Sequence, residues 1–284
     1  MKPEKTYTLI TGASAGIGQA MATECAARGQ HLILVALQDS GLVQTATNLR
    51  KQFGVDVKTI ELNLIAPNAI QYLYDWCHEQ GLSINVLINN AGIGNYSYFQ
   101  ESSLEDYLQM IQLNVNAVVA LTHLFIPKLR EHESAYILNV GSFASLMPLP
   151  YKSVYAATKS FVLTFSRSLQ MELEPYNIHV SCLCPGPTST KTMRKRNQHI
   201  KKGKGILTKT PEEVARQAID GLYKDKGLII PGWKNRFMIR LGRILPFSVK
   251  SYILKKIFKQ GVEEDIVDAT PPATTPRKKG RVTL

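Results

Sequence analysis

The sequence has few cysteines, few histidines and no long apolar run. Four cysteines among 284 residues do not indicate the disulfide framework of a secreted protein, so we expect a reducing compartment. The six histidines show no metal-ligand spacing, and no metal site is predicted. No uninterrupted run reaches the ~18 apolar residues of a membrane-spanning helix, and the polar segment 1–7 does not resemble a signal peptide.

Acidic residues are scarce in the last third of the chain. Residues 1–190 contain 11 Lys and Arg against 14 Asp and Glu, a net charge of −3. Residues 191–284 contain 23 against 8, a net charge of +15, so the overall +12 arises at the C-terminal end. A uniformly basic chain would indicate nucleic-acid affinity, whereas this asymmetry predicts a nearly neutral core with a cationic appendage.

Short apolar runs alternate with helical patterns from residue 6 onward, in a chain whose 44% apolar content is ordinary for a globular protein. Unbroken apolar runs are typical of parallel strands covered on both faces. The alternation predicts an α/β fold, a doubly wound, seven-stranded parallel sheet with helices on both faces. The predicted strands are Tyr7–Thr11, His31–Ala36, Asp56–Leu62, Asn85–Ile88, Ser134–Val140, His179–Leu183 and Gly227–Ile230. The predicted helices are Gln19–Arg28, Leu42–Phe53, Ala69–Gln80, Leu104–Glu131, Ser153–Glu174 and 211–225.

A glycine-rich turn, Thr11–Gly18, joins the first strand to the first helix. Gly12 suits a tight turn, Gly16 lets the backbone approach a pyrophosphate, and Gly18 lets helix and strand pack closely. The helix N-terminus offers free N–H groups and a partial positive charge to a phosphate. Three glycines also occur in ordinary turns of this kind, so the position in the first βα unit is what favours dinucleotide binding.

A second pattern places polar side chains near the end of the fifth strand. Tyr155 and Lys159 are one helical turn apart and share a face, and Ser142 directly follows the strand. Ligands of open α/β sheets bind at the carboxyl ends of strands, so these side chains are expected to converge with the glycine turn. Taken alone, Tyr-x-x-x-Lys is more typical of a surface helix with a buried ring.

These features occur together and in an order that resembles the short-chain dehydrogenase/reductase family. The matching motifs are Thr11–Gly18, Asn89–Gly92, Asn114, Ser142, the Tyr155 and Lys159 pair, and Pro185-Gly186 with Thr190. The resemblance covers residues 6 to about 230 and implies a Rossmann-type fold. It also implies NAD(P)(H)-dependent interconversion of a carbonyl and a secondary alcohol.

The resemblance implies a role for each residue of the site. Tyr155 is expected to be the acid/base, and Lys159 is expected to lower its pKa and bind ribose. Ser142 is expected to hold the substrate oxygen, and Asn114 to take part in a proton relay. The implied cofactor contacts are Gly12, Ser14, Gly16, Ile17, Gly18, Leu37, Asn63, Asn90, Ala91, Gly92, Tyr155, Lys159, Pro185, Gly186, Thr188 and Thr190.

The usual signals for NAD or NADP are both missing. An NAD enzyme commonly has an acidic residue at the end of the second strand, where this chain has Ala36. The next position, where NADP-dependent relatives often carry Arg, is Leu37. The missing acid removes a group that would repel a 2′-phosphate, so NADP(H) is favoured over NAD(H).

Composition divides the chain into three parts. Residues 1–232 are predicted to form the dinucleotide-binding catalytic domain, with a mobile substrate loop at 188–210. Residues 233–262 are predicted to be a basic amphipathic helical extension, and residues 263–284 a disordered tail.

Two interpretations of the extension stay open. It packs on the enzyme core or on a subunit interface, or residues 233–260 lie on an anionic membrane surface. Nucleic-acid binding is disfavoured because no DNA-binding motif is visible. We expect a cytoplasmic enzyme that forms a homo-oligomer. Under the second interpretation, the enzyme lies on the inner face of a membrane. That location suits an apolar or lipid-like substrate. The alternative function is a non-catalytic dinucleotide-binding sensor or scaffold.

Overall fold

A parallel sheet forms the centre of the protein. The computed structural model describes residues 5–190, 208–244, 246, 248–256 and 258. The strands are β1 Thr6–Thr11, β2 His31–Ala36, β3 Val57–Glu61, β4 Ser83–Asn89, β5 Ala135–Val140, β6 Ile178–Leu183 and β7 Leu228–Ile229. They pair in parallel in the order β3-β2-β1-β4-β5-β6-β7, which confirms the predicted seven-stranded doubly wound sheet.

Helices cover both faces of the sheet, as predicted. They are α1 Gly16–Ala27, α2 Leu42–Phe53, α3 Ala69–Glu79, α4 Leu104–Ile111, α5 Ala117–Leu129, α6 Ser153–Leu173, α7 Pro211–Leu222, α8 Trp233–Ile244 and α9, which spans 248–256. One apolar core lies between the sheet and α1, α2 and α7. A second core lies on the other face, against α3, α5 and α6.

The predicted helix Leu104–Glu131, in which the low propensity of Asn114, Asn116 and Pro127 favours a kink or break, is interrupted. A π-helical segment, Gln112–Asn116, separates α4 from α5. Asn114 and Asn116, both of low helix propensity, lie in this segment. An inserted residue of this kind rotates the side chains that follow it, and π-bulges are frequent at functional sites. Asn114 is fully buried.

Within the described residues, one helical stretch, Leu104–Leu129, is long and apolar enough to cross a membrane by length and composition. Its α5 part packs against β4 and α3 and buries Leu121 and Phe125 in the second core. Its apolar character is therefore explained by the sheet that it covers.

The segment before α7 is only partly described. Thr210 begins α7 with a capping box, because its hydroxyl accepts from the Glu213 N–H and the Glu213 carboxylate accepts from the Thr210 N–H. Thr188 and Lys209 form a parallel bridge at the two ends of the predicted loop 188–210. Most of that loop, like the predicted tail 263–284, lies outside the described residues.

The extension packs on the rest of the protein through one face of each helix. On α8, Asn235 and Ile239 are buried, and the Asn235 amide donates to the Pro231 carbonyl at 2.8 Å. On the α9 side, Leu254 and Phe258 contact a cluster formed by residues 144–156. These contacts support the packing interpretation for the inner faces and leave the outer faces to be explained.

Candidate active site

The glycine turn is held against the end of β4. The Thr11 hydroxyl accepts hydrogen bonds from the N–H groups of Asn90 and Ala91, each at 3.0 Å. The Asn90 amide donates to the carbonyls of Thr11 and Gly12 at 2.8 and 3.1 Å. A Cβ atom at Gly18 would lie 2.2 Å from the Gly12 oxygen, so only glycine fits there. The turn is thus clamped between two neighbouring strand ends.

The start of α1 fits a pyrophosphate. Its N-cap is Ala15, which provides no side-chain hydrogen bond, and its first turn contains no acidic residue. The helix therefore presents uncapped N–H groups and a partial positive charge toward an anion. Gly12 and Gly16 have φ values of +65° and +58°, a left-handed conformation that glycine adopts without strain. The observed geometry fits the pyrophosphate of a dinucleotide.

A cleft of about 580 Å³ opens beside this turn. Most of the predicted site residues line it: Gly12, Ile17, Gly18, Asn90, Ala91, Gly92, Ser142, Tyr155, Lys159, Pro185, Gly186, Thr188 and Thr190. The ends of β1, β4, β5 and β6 all meet at this cleft, as expected for a parallel sheet.

Five predicted residues lie outside that lining. Gly16 lies against Thr190: a Cβ atom added at Gly16 would be 3.2 Å from the Thr190 Cγ2. Ser14 lies two residues before Gly16 in the same turn. Leu37 is 58% exposed just beyond β2. Asn63 is exposed, and its side chain accepts from the Ile65 N–H at 3.3 Å. The fifth residue, Asn114, is buried behind the cleft.

Lys159 and Tyr155 lie on the face of α6 that borders the cleft. The Lys159 side chain is buried, and its Nζ donates to the Val140 carbonyl at 2.8 Å. Burial lowers the pKa of Lys159 to about 8, because an ammonium loses its hydration there. Burial raises the pKa of Tyr155, whereas the hydrogen-bonding hydroxyl of Ser142 acts to lower it. The phenol is therefore kept protonated in the protein alone.

Ser142 begins a short 3₁₀ turn, Phe143–Leu146, and its Oγ accepts from the Ala144 N–H at 3.1 Å. Ser145 links this turn to α6: its Oγ accepts from the Ser142 N–H at 3.0 Å and donates to the Lys159 carbonyl at 2.7 Å. Sequence reasoning missed Ser145. Its spacing of three residues from Ser142, typical of a capping box, was the available signal.

Asn114 supports the segment that follows β4. Its Oδ1 accepts from the Ile93 N–H at 2.9 Å, and its Nδ2 donates to the Ile93 carbonyl at 2.8 Å and the Thr158 hydroxyl at 3.1 Å. A Cβ atom added at Gly92 would lie 3.0 Å from Asn114 Oδ1 and 3.1 Å from Lys159 Nζ. A side chain at Gly92 would therefore press against both polar atoms.

Gly94 is a second residue that sequence reasoning missed. A Cβ atom at this position would lie 2.6 and 2.9 Å from the Cδ2 and Cε2 atoms of Tyr155. Such distances are shorter than any real contact, so a side chain at Gly94 would displace the Tyr155 ring. The Gly-Ile-Gly pattern after the Asn-Asn-Ala run was the only signal in the sequence.

An aromatic rim connects the cleft to the extension. The Tyr151 ring packs edge-on against those of Tyr96 and Tyr98, with centroids 6.4 and 5.2 Å apart. Tyr96 packs in the same way against Phe258 at 6.0 Å, and its hydroxyl donates to the Phe258 carbonyl. Tyr151 has a φ of +63°, a strained conformation for a tyrosine that these contacts hold in place.

Cys182 and Cys184 lie on the same face of the chain at the end of β6. Both are fully buried, with their sulfur atoms 3.9 Å apart. In the described parts of the chain, no group of three His, Cys, Asp or Glu side chains is arranged to hold a metal ion. The pair is explained by packing beside Gly141.

Comparison with known proteins identifies the family. The sequence model described as "short chain dehydrogenase" matches residues 6–201. The chain belongs to the short-chain dehydrogenase family. This short-chain dehydrogenase is 33% identical over 263 residues to a very-long-chain 3-oxoacyl-CoA reductase from Anas platyrhynchos, covering 89% of this chain and 80% of that protein.

Solved structures of the family share the fold. A short-chain dehydrogenase from Sphingobium yanoikuyae in complex with NADPH is 27% identical, with a TM-score of 0.71 over 96% of this chain and 99% of that one. A short-chain dehydrogenase/reductase from Burkholderia phymatum in complex with NAD is 24% identical, with a TM-score of 0.74 over 85% of this chain and 94% of that one. The protein is therefore an oxidoreductase of carbonyl and alcohol groups that uses a nicotinamide dinucleotide, and the non-catalytic alternative is set aside.

Proposed function

We propose that this short-chain dehydrogenase reduces the 3-oxo group of a long-chain acyl thioester with NADPH. The observation that carries the proposal is the apolar wall of the catalytic cleft. Tyr155 and Phe258 both pack against a cluster that includes Ala144 and Leu149, so a carbonyl held at the phenol has hydrocarbon surface beside it. The name of the relative from Anas platyrhynchos describes such a substrate.

Ser142 and Tyr155 act on the carbonyl oxygen. The Ser142 Oγ lines the cleft and accepts from the Ala144 N–H, so its own O–H is available to donate to that oxygen. Tyr155 donates its proton to the same oxygen as the alcohol forms. Its pKa is raised by burial, which keeps the proton on the phenol until it is needed. When bound, the nicotinamide dinucleotide supplies the hydride.

Lys159 stabilises the phenolate that is left behind. Its ammonium is buried on the same face of α6 and carries its proton below a pH of about 8. Asn114 Oδ1 and Lys159 Nζ lie on the same side of the Gly92 backbone, each about 3 Å from the position that a Cβ atom would take there. A water bound to both groups would carry a proton from solvent to the phenolate, which is the relay role proposed for Asn114.

NADP(H) is the proposed cofactor. The end of β2 is Ala36, followed by the exposed Leu37, so neither of these positions offers a carboxylate that would repel a 2′-phosphate. Asp39, two residues further on, is the nearest acidic residue that could reach the ribose. The 27% identical structure from Sphingobium yanoikuyae holds NADPH. Dissociation constants of NADPH and NADH, measured on the purified protein, test this. Tighter binding of NADH by tenfold or more would overturn it.

The outer faces of the extension are proposed to lie on an anionic membrane surface. On α8, Trp233 and Phe237 are 66% and 60% exposed, and Leu241 continues their face. Basic residues flank this face, including Arg236 and Arg240, so apolar area and positive charge act together.

Vesicle co-sedimentation tests the membrane proposal. Full-length protein is expected to bind phosphatidylglycerol-containing vesicles at low salt, and the double variant Trp233→Ser, Phe237→Ser is expected to bind less. The double variant Val43→Ser, Tyr72→Ser, at two exposed apolar residues on α2 and α3, is the matched control. Equal binding by neutral vesicles, or by the double variant, would contradict the proposal.

A homo-oligomer is proposed from a third exposed surface. Leu104, Leu108 and Ile111 are exposed along α4 at helical spacing, and Phe161 is exposed on α6, which contacts α4. A second copy of the chain would cover this face. Light scattering on the purified protein tests it, and Leu108→Glu is expected to shift the mass toward the monomer.

The reaction itself is tested by following NADPH oxidation with 3-oxoacyl thioesters. We expect turnover with 3-oxohexadecanoyl-CoA and formation of the 3-hydroxy product. Absence of turnover with every 3-oxoacyl thioester, under either reduced cofactor, would overturn the proposal.

A further inference from the structure

A second cavity, of about 650 Å³, lies beside the catalytic cleft and is roofed by α9. Its walls are the 3₁₀ turn after Ser142, the loop 147–150, one face at the start of α6, and the inward side of α9. Its volume is within the range of small-molecule sites. The catalytic cycle described above gives it no role.

The cavity adjoins the cleft at one side chain. Leu149 lines both spaces and is only 8% exposed. It belongs to a cluster in which Ala156 and Tyr155 approach from α6, while Leu254 and Phe258 approach from the extension. Leu254 lines the cavity and Phe258 lines the cleft, so the extension covers the two spaces continuously.

The lining of the cavity suits hydrocarbon. Met147, Pro148, Leu149 and Leu254 form much of its wall. The Ser160 hydroxyl, which also borders it, already donates to the Ser145 carbonyl at 3.3 Å. An aliphatic chain in this space would remove apolar surface from water without leaving that hydroxyl unpaired.

We propose that the second cavity holds the distal hydrocarbon chain of the substrate, and that Leu149 sets the point where the chain leaves the catalytic cleft. The proposal rests on the proposed function, because it assigns the tail of the same substrate. The carbonyl lies at Ser142 and Tyr155, and the tail runs past Leu149 beneath α9. The extension is thus part of the substrate site.

Saturated acyl-CoAs test the tail site without any reduction, because they lack the 3-oxo group. Octanoyl-, dodecanoyl- and palmitoyl-CoA are titrated into the full-length protein, and their dissociation constants are compared by calorimetry. Affinity is expected to rise with chain length, by up to about fourfold for each methylene that is fully buried. Equal affinities for octanoyl- and palmitoyl-CoA would overturn the proposal.

A filling variant locates the site. Ala157 lines the cavity from the exposed side of α6, so Ala157→Phe places a ring in the space without rebuilding the core. Thr164→Phe is the matched control, because this exposed residue lies two turns further along the same face and outside the cavity. Ala157→Phe is expected to weaken palmitoyl-CoA binding by about tenfold or more and to leave octanoyl-CoA nearly unchanged. Unchanged palmitoyl-CoA binding in Ala157→Phe would overturn the proposal, as would an equal loss in Thr164→Phe.

A second variant changes the cavity wall on the α9 side. Leu254→Gln places an amide against the tail and is expected to lower the preference for long chains, with circular dichroism confirming that the variant is folded. If a second copy of the chain fills the cavity instead, both variants change the oligomeric mass and leave the chain-length dependence intact, which overturns the proposal.

The two proposals fail separately. If no 3-oxoacyl thioester is reduced but the chain-length series and its loss in Ala157→Phe are observed, the proposed reaction fails and the tail site stands. If 3-oxoacyl thioesters are reduced with no dependence on chain length, the reaction stands and the tail site fails.

Discussion

The cofactor side and the substrate side of the cleft are built in different ways. On the cofactor side, backbone groups, the Thr11 hydroxyl and the Asn90 amide hold the Thr11–Gly18 turn, and the amide donates to two of its carbonyls. On the substrate side, side chains from remote segments pack together, such as Tyr96 against Phe258. Hydrogen-bonded turns tolerate little change in geometry, whereas an apolar wall can be repacked at moderate cost. The cofactor side is therefore suited to a ligand that is the same throughout the family, and the substrate side to a substrate that differs from one enzyme to another.

Removal of the Tyr155 hydroxyl should give the largest difference between the two sides, because it affects catalysis on the substrate side and not cofactor binding. Tyr155→Phe keeps the ring but loses the proton donor, so kcat should fall by about 10²–10⁴-fold or more, while the dissociation constant of NADPH changes little. Stopped-flow turnover and fluorescence titration measure the two quantities. Near wild-type kcat would remove Tyr155 from the acid role.

Gly94→Ala should also lower kcat without changing NADPH affinity, but by a smaller factor than Tyr155→Phe. The new methyl group meets the Tyr155 ring at 2.6 Å and must push it away, which should cost about 10²-fold in kcat. NADPH affinity should be almost unchanged. Thermal unfolding of Gly94→Ala, compared with the wild type, checks that the loss of kcat is not a loss of folded protein. An unaltered kcat in Gly94→Ala would show that the ring position is not critical.

The pH dependence should report on Lys159. Its pKa of about 8 lies below the ordinary 10.5, so the ammonium is present below pH 8 and is lost above it. The reduction rate should therefore fall as the pH rises through about 8. Lys159→Arg should be slower but lack this break, because a guanidinium stays charged.

The same shift predicts a trend in stability. Between about pH 8 and 10.5 the unfolded chain binds the Lys159 proton and the folded protein does not. The contribution of Lys159 to the free energy of unfolding should therefore rise with pH across this window. Denaturant titrations of the wild type and of Lys159→Met compare the two. A wild type that loses stability relative to the variant in this window would contradict the assigned pKa.

Phe258→Ala should affect the substrate side alone. The lost contacts with Tyr96 and the cleft wall should raise the KM for long-chain substrates by about tenfold, roughly the loss of one partly buried aromatic ring. The kcat for short ketones and the NADPH affinity should not change. Phe237→Ala, an exposed ring on α8, is the control. A loss of NADPH affinity in Phe258→Ala would break the distinction between the two sides.

Leu37→Arg should affect the cofactor side alone, with the smallest effect. A cation at this exposed position offers a partner for a 2′-phosphate, worth about 1 kcal/mol or less because solvent screens it. NADPH should bind about threefold to fivefold more tightly relative to NADH than in the wild type. Leu37→Gln, which is polar and uncharged, is the control. An equal gain for NADH would show that Leu37 does not lie near the 2′ position.

Much of the sheet could be predicted because strand signals are local. His31–Ala36 was predicted with the bounds that the structure shows, since an unbroken apolar run between two turns has few other stable arrangements. Leu42–Phe53 was equally clear, with Gly41 and Gly54 at its ends. The break in Leu104–Glu131 was less clear, because low propensity at Asn114 predicts a kink but not a π-helical segment.

Some residues of the cleft could likewise be predicted from the sequence, and others could not. Ser142, Tyr155 and Lys159 could be found because their types and spacing resemble a family. Gly94 and Ser145 could not, because a glycine that clears a ring and a serine that links two segments matter only through partners remote in the chain. Leu37 and Asn63, expected at the cofactor, lie outside the cleft lining, and their contacts remain predictions.

By itself, the sequence determined the parallel sheet, the glycine turn and the phenol–ammonium pair, since each depends on short-range periodicity or spacing. Only the tertiary structure decided that α9 roofs a second cavity and that the inner faces of the extension pack on the enzyme. The physical reason is that an amphipathic basic helix gains stability by burying its apolar face against any apolar surface. The sequence of such a helix shows that it has an apolar face to bury, and the folded protein decides which surface covers that face.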